Sequence, residues 1–509
     1  MDAALSELVW RGIEESNPWW ASGSVPPART QSFRRHAFAS ILEAFRKAKP
    51  GRGVVVLGPR RVGKTVLLHQ VIEQLLADGV SKDEICFLSL DDVALRDRDL
   101  GELLKLVELR RPLSRGRSRF LLLDEVQHSK AWSGWLKRIG DRGEAYRFLA
   151  TGSSATALRR GGQDAGLGRW RELTLFPWSF REHVQIRNLE TWSFSYNERM
   201  LDIMNELAPP PSDKSAFRLS TKASAALRKL EDQLGPRPAD EAERMDNALV
   251  DYFIRGGFPE IATEDDPREA RRKLRQDILD RSLGRDITDV ANVDTRLLER
   301  LFMRICLNPG GLWNEVEASR DLQVSRPTVA RYIQILEEAF LIFRFPNLAS
   351  PIKGQPKIYL VAPAMRQALL ALDERDVRRP EDWGRIAENA VVASAVGTNP
   401  DARQIGFWRK QEECDVVILE SGGRGDFIEV KRSGERAIRG IDRAAAALGY
   451  GGGNSKARNR GIGFILCRDN PSPIRLATEE SLMHVVRQPV AEWLYQQRDN
   501  AGGTLRIRV

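Results

Sequence analysis

The sequence is poor in cysteine and has no long apolar run. Its four cysteines (Cys86, Cys306, Cys414 and Cys467) are spread over 509 residues without a CxxC pair, which argues against a disulfide framework and against a zinc site. No apolar stretch approaches the roughly 18–20 residues that cross a bilayer. The acidic N-terminus lacks the basic and apolar regions of a signal peptide. We therefore expect a cytoplasmic chain with no membrane partner.

Positive charge is in excess: the formal net charge is +9 and the pI is near 9.4. Such a balance favours a nucleic-acid partner through phosphate contacts but does not specify which one, and any one basic residue can simply be solvated. The basic residues are dense in the C-terminal part, at Arg403, Arg409, Lys410, Lys431, Arg432, Arg436, Arg439, Arg443, Lys456, Arg458 and Arg460. A chain of this length exceeds a single core and predicts three or four domains.

A glycine-rich segment lies between an apolar run, Val54–Leu57, and a helical pattern, Thr65–Ala77. Glycines let successive backbone N–H groups turn toward phosphate oxygens, and the start of the following helix favours an anion. Lys64 is predicted to reach the β- and γ-phosphates of ATP, and Thr65 to bind Mg²⁺. The predicted nucleotide-binding residues are Gly58, Pro59, Arg60, Arg61, Val62, Gly63, Lys64, Thr65 and Val66.

A second apolar strand, Arg119–Glu125 (RFLLLDE), ends in two adjacent carboxylates. A magnesium–nucleotide site needs one carboxylate to hold the metal and another to polarise the attacking water. Asp124 is predicted to take the first role and Glu125 the second.

Two further apolar runs, Ile85–Asp92 and Tyr146–Ser154, also end in polar side chains. Ligands of α/β sheets bind at the carboxyl ends of the strands. We therefore expect both runs in the same sheet, with Thr151 and Ser153 positioned to sense the γ-phosphate.

Three more polar residues have two interpretations each. Asp91 and Asp92 either support the nucleotide site or cap a turn. Arg169 either supplies positive charge to the nucleotide of a neighbouring subunit or is a solvated surface group.

In combination these motifs resemble the AAA-type ATPase domain that accompanies the DUF4143 family. The resemblance covers about residues 10–183 and continues through the run YFIRGGFPE at 252–260. It implies a nucleotide-binding module followed by a winged helix and a restriction-nuclease-like fold. The matching segments are NPWW at 17–20, GPRRVGKT at 58–65, LLLDEVQ at 121–127, WLK at 135–137, TGSS at 151–154, LGR at 167–169 and FPWSFREHV at 176–184.

The predicted class is α/β, with a P-loop ATPase built on a parallel sheet, a helical lid, a winged helix and a C-terminal α/β nuclease-like domain. The predicted ranges are an N-terminal segment at 1–36, the ATPase domain at 37–184, the lid with a charged insertion at 185–295, the winged helix-turn-helix at 296–347, the nuclease-like domain at 355–485 and a tail at 486–509.

The helix-turn-helix prediction depends on a short helix, Val316–Leu322, and a longer one, Arg326–Glu338, which Ser325 can cap. The run at 340–343 suits a wing strand. If the longer helix reads DNA, the residues facing the groove or the backbone are Arg326, Thr328 and Arg331. The alternative is a module that only packs between domains.

A third constellation resembles the PD-(D/E)xK nuclease core. Glu388 projects from a helical pattern, Asp415 begins one strand, and Glu429 and Lys431 share a face of the next because residues i and i+2 of a strand point the same way. Asp415 and Glu429 are predicted to hold Mg²⁺, and Lys431 to position the attacking water. The same set could persist in a fold that no longer cuts.

Three functions remain open at this point. The first is an ATPase that couples its nucleotide state to a DNA-binding, nuclease-like C-terminal half. The second is a nucleotide-gated interaction protein with an inert nuclease fold, and the third is a DNA-binding regulator. ATP or GTP preference, DNA or RNA, and the oligomeric state are not decided by the sequence.

Overall fold

The computed structural model divides the chain into two compact units. Unit 1 comprises Met1–Pro177, Asp280–Val293 and Gln334–Leu341, and unit 2 comprises Trp178–Leu279, Asp294–Ile333 and Ile342–Val509. The structure describes residues 3–114, 116–130, 132–142, 146–152, 170–195, 238–287, 293–399, 402–420, 423–430, 435–451, 459–468, 475–476 and 485–497. Among these residues, none of the helices has the length and the apolar character needed to span a membrane.

Unit 1 alternates strands and helices, as the apolar runs predict. Its strands are β1 (Gly53–Leu57), β2 (Ile85–Ser89), β3 (Arg119–Asp124), β4 (Tyr146–Gly152) and β5 (Trp170–Thr174). Its helices are α1 (Ala3–Ser16), α2 (Trp19–Ser22), α3 (Phe38–Lys47), α4 (Lys64–Ala77), α5 (Leu100–Arg110) and α6 (Trp132–Arg142), with 3₁₀ turns at Pro27–Arg29, Lys82–Glu84 and Val126–His128.

The five strands form one sheet in the order β2-β3-β4-β1-β5, and every neighbouring pair is parallel. All residues of β1 and β3 are buried, as expected of parallel strands covered on both faces. The predicted α/β class with a parallel sheet is therefore confirmed. Because β4 lies between β1 and β3, the carboxyl ends of these three strands meet at one edge.

The N-terminal residues belong to the core of unit 1, where Val9, Ile13 and Trp19 are buried. Strand β2 lies at the edge of the sheet, and Asn17 bonds to it as a neighbouring strand would. Its Nδ2 donates to the Phe87 carbonyl at 2.7 Å, and its Oδ1 accepts from the Phe87 N–H at 2.7 Å. These contacts satisfy backbone groups that an open edge would expose.

Unit 2 begins with helices and ends with a mixed sheet. Its helices are α7 (Phe180–Arg187), α8 (Glu241–Arg255), α9 (Pro259–Ala262), α10 (Pro267–Gln276), α11 (Thr295–Leu307), α12 (Glu315–Leu322), α13 (Arg326–Glu338, whose last residues are assigned to unit 1), α14 (Ala364–Leu370), α15 (Glu374–Arg378), α16 (Pro380–Thr398), α17 (Glu435–Ala447) and α18 (Val490–Gln496). A π-helical stretch, Asp277–Asp286, begins in unit 2, and its residues from Asp280 onward are assigned to unit 1. Most of the predicted charged insertion, residues 196–237, lies outside the described residues.

The strands of unit 2 are β6 (Ile342–Phe345), β7 (Lys357–Leu360), β8 (Gln404–Arg409), β9 (Glu413–Leu419), β10 (Arg424–Val430), β11 (Tyr450–Gly451), β12 (Asn459–Cys467), β13 (Arg475–Leu476) and β14 (Val485–Pro489). Strands β8, β9 and β10 form an antiparallel meander, and β12 is parallel to β10. The chain therefore runs α16–β8–β9–β10–α17–β12 through this sheet.

The two helices of this run cover opposite faces of the sheet. Val416 and Ile428 lie in one buried cluster with residues of α16, such as Ala390. Val417 and Phe427 lie in a second cluster with residues of α17, such as Ile441. Because successive side chains of a strand point to opposite faces, this division places one helix on each face.

The helices α11, α12 and α13 precede a hairpin in which β6 and β7 are antiparallel. Gln323 ends α12 in the left-handed region at φ 57°. Ser325 caps α13 as predicted, because its Oγ accepts the Thr328 N–H at 3.3 Å. The expected strand at 340–343 begins two residues later, at Ile342, since Phe340 adopts φ 56° at the end of the helix.

Within unit 2, hydrogen bonds join the part of the FPWSFREHV segment from Trp178 onward to the YFIRGGFPE segment. The Trp178 N–H donates to the Gly257 carbonyl at 2.6 Å, and the Tyr252 hydroxyl donates to the Trp178 carbonyl at 3.2 Å. Ser179 and Glu182 form a capping box at the start of α7. These two motifs therefore have a local structural explanation.

Candidate functional site

The loop between β1 and α4 has a backbone that only particular residues allow. Gly63 adopts φ 96° immediately before α4, in a region that favours glycine. A Cβ added to Gly58 would lie 2.3 Å from the Leu175 carbonyl oxygen. The fold therefore favours glycine at both 58 and 63, which explains why the phosphate-loop motif has glycine at these two positions.

Lys64 is buried, with 4% of its side chain exposed. Its ammonium donates to the carbonyls of Gly58 at 3.1 Å and Pro59 at 3.0 Å, so it lies against the loop that precedes it. Glu125 Oε1 is 3.6 Å from the same nitrogen. A phosphate oxygen in the loop would compete with these neighbours for the ammonium.

Asp124 joins the loop to the two central strands. One carboxylate oxygen accepts from the Thr65 hydroxyl at 2.7 Å, and the other accepts from the Thr151 hydroxyl at 2.5 Å. Carboxylate and hydroxyl oxygens are ligands that Mg²⁺ accepts. The donor set of Thr65 and Asp124 therefore fits the metal of a magnesium–nucleotide complex.

The electrostatics of Asp124 also fit a cation. Burial, and after it the negative charge of Glu125, raises the pKa of Asp124 to about 6. Hydrogen bonds from Thr151 and Thr65 and the charge of Lys64 act in the opposite direction. A divalent cation beside the two carboxylates would compensate charge that the protein alone compensates only in part.

The backbone of Glu125 is held in the left-handed region, at φ 50°. Its N–H donates to the Thr151 hydroxyl oxygen at 3.0 Å, and Gln127 Nε2 donates to its carboxylate at 2.5 Å. Thr151 is fully buried, and its hydroxyl contacts both Asp124 and Glu125. A role for Thr151 in sensing the γ-phosphate stays a prediction.

Two residues of the site were given no role from the sequence: Gln127, which ends the LLLDEVQ segment, and Arg35, which lies in none of the motifs. Gln127 orients Glu125, as described above. Arg35 is buried and donates to the carbonyls of Val62 at 2.8 Å and Phe176 at 3.0 Å, thereby tying the phosphate loop to the segment after β5. No local pattern reveals Arg35, because its contacts are distant in sequence.

The remaining predicted residues make local contacts or lie outside the described ranges. Asp91 accepts from the Ser89 hydroxyl at 2.8 Å, and Asp92 accepts from the Ala94 N–H at 2.8 Å, as in a capped turn. Ser153 and Arg169 lie outside the described residues.

Comparison with known families agrees with this geometry. Residues 51–184 match the model of the AAA_14 family, described as an AAA domain. This part of the chain is an AAA-type P-loop ATPase domain. Residues 246–376 match a different model, a domain of unknown function named DUF8612. The predicted relation to DUF4143 is not confirmed.

Relatives of the chain are distant. An uncharacterised protein of Methanocaldococcus jannaschii, MJ1544, is 23% identical over 79% of this chain and 80% of its own length. An uncharacterised protein of Haemophilus influenzae is 24% identical over 57% of this chain and 61% of its own length. A Walker-type ATPase of Pyrococcus abyssi aligns with 66% of this chain and 95% of its own at 13% identity, with a TM-score of 0.39, which does not establish a common fold.

Unit 2 brings together three of the four residues predicted for a nuclease. Glu388 lies on α16, Asp415 on β9 and Glu429 on β10. The Asp415 N–H donates to Glu429 Oε2 at 3.2 Å. The fourth residue, Lys431, lies outside the described residues.

Lys357 on β7 lies among these carboxylates, although no sequence motif assigns it to the site. Its Nζ is 2.6 Å from Glu413 Oε1, 2.9 Å from Glu388 Oε1 and 3.9 Å from Asp415 Oδ1. Burial lowers the pKa of Lys357, but the surrounding carboxylates outweigh burial, and the pKa is raised. The sequence feature that could have indicated Lys357 is a charged residue at the start of the apolar run KIYL.

The Arg35→Lys variant tests the support of the phosphate loop. Lysine cannot reach two carbonyls with a planar fork, so we expect the dissociation constant for ATP to rise roughly tenfold. The measurement is a nucleotide titration in the presence of Mg²⁺. Arg34→Lys is the matched control, since Arg34 is partly exposed and pairs with Glu73. Equal ATP affinity in the Arg35→Lys variant and the wild type would contradict this role.

Proposed function

We propose that unit 1 binds and hydrolyses ATP. The observation that carries the proposal is the pair of hydroxyls on the Asp124 carboxylate beside Lys64 and Glu125. Thr65 and Asp124 would hold Mg²⁺, which when bound neutralises charge on the β- and γ-phosphates. The AAA-domain match at 51–184 supports the same conclusion.

Each residue then has a defined task. Lys64 exchanges the carbonyls of Gly58 and Pro59 for phosphate oxygens and leaves the vicinity of Glu125. Glu125, held through Gln127, orients and polarises the attacking water. ATP binding would thus release the carboxylate that hydrolysis needs.

The Glu125→Gln variant separates ATP binding from hydrolysis. An amide keeps the shape of the side chain but cannot accept the proton of water, so kcat should fall about 10²–10⁴-fold. ATP affinity should stay near the wild-type value, whereas Lys64→Ala should lose both. Phosphate release and nucleotide titration measure the two quantities. Glu102→Gln, at an exposed position of α5, is the control. Hydrolysis at the wild-type rate by Glu125→Gln would refute the assignment.

We further propose that the nucleotide state is coupled to a DNA-binding C-terminal half with a nuclease-like fold. Arg326 and Arg331 are exposed on α13, which follows the short helix α12 as a reading helix would. The order α16–β8–β9–β10–α17–β12, with helices on opposite faces, supports a restriction-nuclease-like arrangement. Stimulation of the ATPase by DNA would link the two halves.

The double variant Arg326→Ala/Arg331→Ala tests DNA contact by α13. Each lost phosphate contact removes about 0.9 from the slope of log affinity against log salt, so the slope should become shallower by about two. Fluorescence anisotropy over a salt series measures this slope. Arg268→Ala, at an exposed position of α10, is the control. An unchanged slope would favour the packing interpretation of α13.

A second candidate function is a nucleotide-gated interaction protein in which the nuclease-like fold is inert. The observation that favours it is the ammonium of Lys357 among the carboxylates of the predicted nuclease site. In this case unit 1 still binds ATP, and the C-terminal half captures DNA or a protein without cutting.

A further inference from the structure

Unit 2 contains a carboxylate cluster, formed by Glu388, Glu413, Asp415 and Glu429. The Lys357 ammonium lies among these carboxylates. Lys357 is nearly buried, with 6% of its side chain exposed, and it comes from β7, outside the α16–β10 run that supplies the acids. Its ammonium is within hydrogen-bonding distance of Glu388 and Glu413, and the aromatic ring of Phe407 lies 5.2 Å away. Carboxylates and an aromatic face thus surround one buried positive charge.

The carboxylates themselves are engaged by other protein groups. Asp415 Oδ2 accepts from the Val430 N–H at 2.9 Å, and Glu429 Oε2 accepts from the Asp415 N–H at 3.2 Å. Glu388 Oε1 accepts from the Tyr359 hydroxyl at 2.5 Å as well as from Lys357. Much of the acceptor capacity that a metal would use is therefore directed at protein donors.

The described residues do not assemble a metal site at this position. Within those ranges, no group of three or more His, Cys, Asp or Glu side chains has an arrangement that could hold a metal ion. Mg²⁺ demands near-octahedral oxygen ligands about 2.0–2.1 Å away, and an ammonium among those oxygens would repel it at short range. The predicted magnesium ligands Asp415 and Glu429 thus do not fit the metal as they are placed.

We propose that the Lys357 ammonium is the resident cation of this cluster and excludes the divalent metal that a nuclease would need. The proposal rests on the nuclease-like fold proposed above and decides its activity: the C-terminal half binds without metal-dependent cleavage. Buried charges of this kind are satisfied in pairs, so the same contacts also fix β7 against α16 and β9.

The test is binding of Mn²⁺, a spectroscopically visible substitute for Mg²⁺, to the full-length chain without nucleotide. The wild type should show no site that depends on Asp415, so wild type and Asp415→Asn should titrate alike. Lys357→Met keeps the length of the side chain and removes its charge. It should bind one more Mn²⁺ per chain than the wild type does, and Lys357→Met/Asp415→Asn should lose that additional site. Lys353→Met, at an exposed position between β6 and β7, is the matched control.

Two results would overturn the proposal. One is Mn²⁺ binding by the wild type that Asp415→Asn abolishes, and the other is a folded Lys357→Met chain that gains no site. If Lys357→Met does not fold, the comparison of wild type with Asp415→Asn decides alone. These outcomes are distinct from failure of the proposed ATPase, because ATP hydrolysis and DNA affinity are measured on the same preparation and depend on other residues.

Discussion

The carboxylate of Asp124 is the constraint on which the nucleotide site depends. It accepts the hydroxyls of Thr65 at the start of α4 and Thr151 at the end of β4, and so ties the helix and two strands together at one edge of the sheet. Thr151 in turn accepts the backbone N–H of Glu125 and helps to hold it at φ 50°. The proposed metal ligands and the residue proposed to activate water are thus set by one continuous chain of hydrogen bonds.

This geometry was largely predictable because its signals are local. GPRRVGKT specifies its own turn, and RFLLLDE carries its carboxylates on the strand that positions them, so the helix at 64–77 and the strand at 119–124 agree closely with the predicted ones. Arg35 was not predictable, since its partners Val62 and Phe176 are brought to it only by the folded sheet. The strand expected as a wing begins late for a local reason: Phe340 is in the left-handed region, which no common sequence pattern predicts.

In the C-terminal half, the sequence predicted three acidic residues but not the lysine that lies among them. Glu388, Asp415 and Glu429 do come from the elements that the PD-(D/E)xK pattern requires. The pattern says nothing of Lys357, because β7 precedes the whole run. The charge of one buried lysine determines whether the same acids form a metal site or a set of buried ion pairs. The set of buried ion pairs is consistent with the proposed function in which ATP controls binding without cleavage.

The most direct test of the account is the affinity of the full-length chain for ATP with Mg²⁺ and with EDTA, compared between the wild type and Asp124→Asn. If Asp124 organises the site, the wild type binds ATP more tightly with Mg²⁺ than with EDTA, and Asp124→Asn loses this difference. Binding of ATP by Asp124→Asn with the full wild-type dependence on Mg²⁺ would contradict the account, as would a wild type with no affinity for ATP in either condition.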